Sequence, residues 1–135
     1  MPIKRIQPDR LHQRVLKGHA VYTHVVIASG QSLVFIAGQL ARDKDGNVVG
    51  KGDMAAQIRQ VGENLRIALE AAGLGLKDVV KTTTYVTDID EFFRHAEVRH
   101  AIFGQALPTS TTVEVRRLSH PDFMVEVEAL ALIDR

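Results

Sequence analysis

The sequence predicts one mixed β-sheet covered on one face by two helices. Three observations carry this. Two segments of helical pattern each lie between segments rich in β-branched residues, which calls for crossovers within one sheet. The longest apolar runs have strand length. The chain has 135 residues, 45% hydrophobic and 24% charged, the size and balance of a single globular domain spanning residues 1–135.

Residues 1–19 read as polar and irregular, apart from a short strand near Ile3–Ile6. From Tyr22, the runs YTHVVIA and LVFIAG are joined by SGQS, the pattern of a hairpin. RDKDGN at 42–47 is a second turn, in which Gly46 tolerates φ > 0. Val48-Val49 then opens a candidate third strand. DKDGN has the look of a calcium loop, but the twelfth loop position is Met54 rather than a bidentate acid. The turn reading prevails.

Residues 53–72 carry the clearest helix. Asp53 can cap it by accepting from first-turn N–H groups. Ile58, Val61, Leu65, Ala68 and Ala72 recur at steps of three and four, one apolar stripe. Gly73 stands where a left-handed C-terminal residue is wanted. VVKTTTYVT at 79–87 has strand composition. A second helix is predicted over 91–103, capped by Asp88 or Asp90 and closed by Gly104. Its inward residues are Phe92, Phe93, Ala96, Ile102 and Phe103. Strands at 111–117 and 123–133 complete the order β-β-(β)-α-β-α-β-β. With both helices on one side, the other sheet face exposes Val, Phe, Tyr and Leu. An apolar patch of that kind predicts homo-oligomerisation.

Composition narrows the function classes. Net charge is +1, Trp is absent, and no basic run interleaves with aromatics, so nucleic acid is an unlikely partner. There is no cysteine, which excludes disulfides, cysteine nucleophiles and thiolate metal sites. The N-terminus lacks a signal-peptide core, and no apolar run approaches the ~20 residues of a membrane span. A cytoplasmic protein without membrane contact is expected.

Few motifs carry chemistry. His95 and His100 are five apart, so they do not share a helix face as metal ligands would. His12, His19, His24 and His120 fall in loops or strands, and no metal is expected. No GxSxG, P-loop or GxGxxG occurs. In MVEVEALALI, Glu126 and Glu128 fall on the side that carries Met124, Leu130 and Leu132. A carboxylate there is either a rim or interface group paired with a base, or a general acid or base in a pocket. In LPTSTTVEV, Pro108 precedes four hydroxyl residues, which either open a strand or line a ligand pocket.

The segments LVFIAGQL, QVGENLRIALEAAGLGLKDVVKTTTYVTDIDEF and LPTSTTVEVRRLSHPDFMVEVEALAL, in this order, resemble the Rid family (reactive intermediate deaminases, also called YjgF/UK114). The match covers roughly residues 20–133, and the central block is its specific part. The resemblance implies a chorismate-mutase-like α+β fold. It also implies a homotrimer with a central barrel, small-molecule clefts between subunits, and no metal or organic cofactor. The activity implied is hydrolysis of reactive enamines and imines, such as 2-aminoacrylate, to keto acids and ammonia. Some members carry an endoribonuclease label.

Carried over position by position, the family's cleft tyrosine falls on Tyr22 and its last-strand glutamate, which holds the attacking water, on Glu126. Its SGQ places glycine at Gly38 but serine at Ala37, and a helix asparagine falls on Ala96. Ser110, Thr111 and Thr112 form the hydroxyl wall of the cleft. Ser110 occupies the place of the arginine that binds the substrate carboxylate. A guanidinium grips a carboxylate bidentately, whereas serine has one donor and no charge. A charged hydrogen bond is worth roughly 1.5–3 kcal/mol, so its loss weakens binding about 10- to 150-fold. Arg99 and Arg116 could reach the cleft, but surface positions are expected for both. The resulting expectation is a trimeric imine or enamine deaminase with altered specificity. The alternatives are a non-catalytic ligand-binding or chaperone-like member, and an endoribonuclease.

Overall fold

A computed structural model describes residues 2–134. Strand β1 (Ile3–Ile6) pairs antiparallel with β4 (Val25–Ala28), and between them β2 (Val15–Leu16) pairs with β3 (His19–Ala20). The main sheet comprises β5 (Ser32–Leu40), β6 (Val79–Val86), β7 (Thr109–Glu114) and β8 (Val125–Ile133), in the order β5-β8-β6-β7. β6 and β7 are parallel and the remaining pairs antiparallel. This is the α+β architecture with a mixed sheet that the sequence predicts.

Helix α1 (Met54–Ala71) begins where Asp53 accepts from the Ala56 N–H at 3.0 Å. Gly73 follows its end with φ 75°, a left-handed value that glycine takes without steric cost. The buried stripe runs Met54, Ile58, Val61, Leu65 and Leu69 and faces Ile36, Val79, Val125, Val127 and Ala131 of the sheet. Leu65 and Leu69 are fully buried, each contributing roughly 1.5–3 kcal/mol. Gln57 is buried on the same stripe. Its side chain donates to Gly50 O and Asp122 O and accepts from the Met124 N–H. This amide ties α1 to the entry of β8. Ile102 packs closely against Gly62, where a Cβ would lie 2.9 Å from its Cγ1.

Four expectations need correction. YTHVVIA and LVFIAG do not form a hairpin. β4 pairs with β1, and the turn passes into a different sheet, fixed by Gln31 N–H to Ile133 O at 3.0 Å. A local turn signal shows where the chain bends, not which strands pair. Val48 makes only an isolated bridge to Arg42 rather than opening a strand. The second helix is two: α2 (Ile89–Arg94), capped by Asp88, and α3 (Ala96–Phe103). His95, with φ −107° and ψ 36°, interrupts the helical path. No Gly or Pro marks the break, so periodicity alone does not reveal it. β7 begins at Thr109 rather than at residue 111, and ends at Glu114.

Candidate functional site

A short corner after Phe103 leads the chain from α3 into β7 at Thr109. Leu107 takes φ 42° at this corner, a left-handed value that costs a branched residue energy. The corner is pinned from outside. The Thr23 N–H donates to Pro108 O at 3.1 Å, and the Thr23 hydroxyl donates to Leu107 O. This holds Tyr22 beside the first residues of β7.

The parallel register sets Ser110 against Thr82, Thr111 against Thr83 and Thr112 against Thr84. Thr82 and Thr84 are buried toward the helices. Side chains alternate along a strand, so Ser110 and Thr112 share that face and Thr111 points to the other. An open pocket of about 150 Å³ results, lined by Arg14, Val21, Tyr22, Ile89, Phe93, Ser110 and Thr112.

Arg99 is not on the surface. It is 6% exposed. Its guanidinium donates to Val21 O at 2.9 Å and to Ser110 Oγ at 3.1 Å. No carboxylate lies within ion-pair distance of it among the described residues, and burial alone pushes its pKa down to about 10. The signal was present in the sequence. Ala96, Arg99 and Phe103 follow helical steps of three and four, and Phe103 is buried. Arg116, as expected, is exposed. Arg14 carried no signal. It lies in the segment read as irregular and reaches the pocket beside the β2–β3 ribbon. Its guanidinium carbon lies 4.4 Å from the centre of the Phe93 ring.

Glu126 lies on the open face of the sheet, opposite Leu40 of β5 and Tyr85 of β6. The β5–β8 register slips between Ile36 and Gln39, around Ala37 and Gly38. The Glu126 carboxylate lies across the Gly38 backbone, where a Cβ would come 2.8 Å from its Cδ and closer to Oε2. The Tyr85 hydroxyl donates to Glu128 Oε1 at 2.8 Å. That hydrogen bond, then burial, then the charges of Glu128 and Glu126 raise the phenol pKa above its ordinary value. A shallow pocket of about 290 Å³ on this face is lined by Phe35, Ala37, Lys81, Thr83, Glu128 and Leu130, among others. Phe35 is 75% and Leu33 55% exposed.

The structure thus gathers the sequence-predicted residues into two groups. Tyr22, Ser110 and Thr112 meet on the helix-covered side. Ala37, Gly38 and Glu126 meet on the open side. Thr111 faces away from the first group, and Ala96 lines a narrow recess with Leu16, His19, Phe93, Arg99 and His100. Among the described residues, no three His, Asp or Glu side chains cluster as a metal site requires, and no helix is long and apolar enough to cross a membrane.

Comparison with known proteins identifies the family. Residues 13–133 match the family described as Endoribonuclease L-PSP. A RutC family protein of Pyrococcus horikoshii is 46% identical over 101 residues, covering 74% of this chain and 79% of that protein. A 2-iminobutanoate/2-iminopropanoate deaminase of Salmonella typhimurium is 38% identical over 104 residues, covering 75% and 80%. A Yersinia pestis protein of the conserved Rid family, of unknown function, superposes with TM-score 0.85 at 28% identity, covering 98% of this chain and 100% of that one. On the match over residues 13–133 and on these relatives, the chain belongs to the Rid (YjgF) family.

Proposed function

We propose that this chain hydrolyses small reactive imines or enamines in clefts between the subunits of a homotrimer, without a metal. The observation that carries this is Glu126 laid across Gly38, a carboxylate held against bare backbone on the open face of the sheet. The Tyr22–Ser110–Thr112 pocket lies on the other side of the sheet, so one copy's Glu126 can complete only another copy's pocket. Each pocket alone falls below the roughly 300–1,000 Å³ usual for a ligand site. The exposed Phe35 and Leu33 supply an apolar surface for the packing that joins them. The relative named as a 2-iminobutanoate/2-iminopropanoate deaminase supports the reaction class.

The chemistry asked of the site is modest. An enamine is first protonated on carbon, giving the iminium form of the imine. Water then adds to the imine carbon while Glu126, as carboxylate, takes the water's proton. Glu126 returns that proton to nitrogen, and the carbon–nitrogen bond breaks as the new hydroxyl gives up its remaining proton to solvent, leaving a carbonyl compound and ammonia. General base assistance of this kind is worth about 10²- to 10⁴-fold. Glu126→Gln keeps the shape and loses the base, so ammonia release from imines generated in situ should fall by at least about 100-fold. Unchanged release would end this assignment. Ser110→Arg is expected to raise turnover of 2-imino acids. The second reading, a non-catalytic ligand-binding member, draws on Ala37 and Ala96, which bring no polar side chain. It predicts ammonia release no faster than buffer from every imine tested.

A further inference from the structure

The Tyr22–Ser110 pocket has two guanidinium groups beside it and no carboxylate paired with either among the described residues. Arg99 is sealed behind Ser110. An arginine only donates, so the hydrogen bond at 3.1 Å makes Ser110 Oγ the acceptor. The serine's own proton is then left to point at whatever occupies the pocket. Arg14 is exposed and lines the same pocket, its guanidinium resting over Phe93 at 4.4 Å. A guanidinium over an aromatic face keeps N–H groups available for a second partner. An unpaired cation lining the same pocket as a polarised hydroxyl is a site for a planar oxyanion.

We propose that Arg14 is the specificity-determining residue of this cleft. Together with the Ser110 hydroxyl it grips a carboxylate, with Arg99 as a positioning residue behind the serine. A carboxylate clamp of the kind that the family's arginine supplies then persists despite the serine at 110. The cation comes from the segment preceding β2 rather than from β7. This rests on the deaminase reading for the reaction, but not for the binding site itself.

The test uses the intact protein with 2-oxobutanoate and uncharged 2-butanone as unreactive probes, followed by calorimetry or NMR titration. Arg14→Ala should weaken 2-oxobutanoate by about 10- to 150-fold and leave 2-butanone unchanged, with Arg14→Lys falling between. Equal affinity in Arg14→Ala, equal loss for both probes, or no binding of 2-oxobutanoate by the parent overturns the proposal. So does a loss of trimer without loss of affinity, which would assign Arg14 to a carboxylate of another subunit. Ser110→Ala should weaken 2-oxobutanoate in the parent and in Arg99→Lys but not in Arg99→Met. An equal loss in all three removes the positioning role. Arg14-dependent binding without ammonia release would sink the deaminase reading alone. Turnover that needs Glu126 but keeps its KM in Arg14→Ala would sink this inference alone.

Discussion

Gly38→Ala tests how closely the fold and the proposed chemistry are joined. A methyl at residue 38 would place carbon 2.8 Å from Cδ of Glu126. Contacts become ordinary only near 3.4 Å, so the carboxyl carbon has to retreat by about 0.6 Å and its oxygen by more. The displaced group is the far end of a flexible side chain on the open face, so little of the core is disturbed. A stability change within about 1 kcal/mol is expected, as for most substitutions outside the core. The catalytic cost is different in kind. A misplacement near 1 Å can cost about 10²-fold in rate. The prediction is a fall of roughly 30- to 100-fold in kcat for imine hydrolysis, with a Tm close to the parent's. Ammonia release and a thermal melt measure the two on one preparation. Activity within threefold of the parent, in a variant whose structure shows Glu126 shifted, would refute the argument that its position on Gly38 matters.

Three further outcomes follow from the same contacts. Phe35→Asp puts a charge on the most exposed apolar side chain of the open face, so sedimentation should show monomer in place of the proposed trimer; an unchanged assembly would place the interface elsewhere. Gln57→Met leaves Gly50 O, Asp122 O and the Met124 N–H without their partner, and urea unfolding should show at least about 2 kcal/mol lost. His100 has its pKa lowered, first by burial, then by the charges of His19, stacked on it at 3.6 Å, and of Arg99. The unfolded chain therefore takes up this proton first as pH falls through about 6.5. Stability is full above that value and declines below it until the folded imidazole is also protonated. Urea midpoints at pH 7.5 and 5.5 should converge in His100→Gln, and an unaltered pH slope would exclude His100 as the source.

The fold was largely legible because its signals are periodic. The α1 stripe, the Asp53 cap and the Gly73 stop are each set by neighbours within a few residues, and each appears where the pattern puts it. Pairing was less legible. YTHVVIA looks like half a hairpin, yet its strand pairs with Ile3–Ile6 because main-chain hydrogen bonds satisfy any strand edge that comes into reach. Ser110 stands out in the sequence for the charge it lacks. The long side chains that lie beside it do not, since local pattern does not encode contacts between distant segments.

Arg99 and Arg14 show two different reasons for that gap. Arg99 sits on an inward helical step, and a strict reading of the spacing would have buried it. General expectation placed it outside, because arginine is rarely buried unless paired. The exception is instructive, because a guanidinium held at 6% exposure, with no carboxylate paired to it among the described residues, turns to Ser110 and Val21 O instead. Arg14 has no such pattern to read. Its place in the pocket depends on a two-residue ribbon, on Lys17 reaching Glu97 and Arg94 O, and on His19 stacking over His100. These contacts join two segments some 80 residues apart. They also join the cleft to His100, whose protonation the fold opposes. If protonation of His100 loosens the ribbon, affinity for 2-oxobutanoate should fall with pH in the parent and stay level in His100→Gln. An identical pH profile in both proteins would show that the ribbon holds Arg14 without help from the stacked pair.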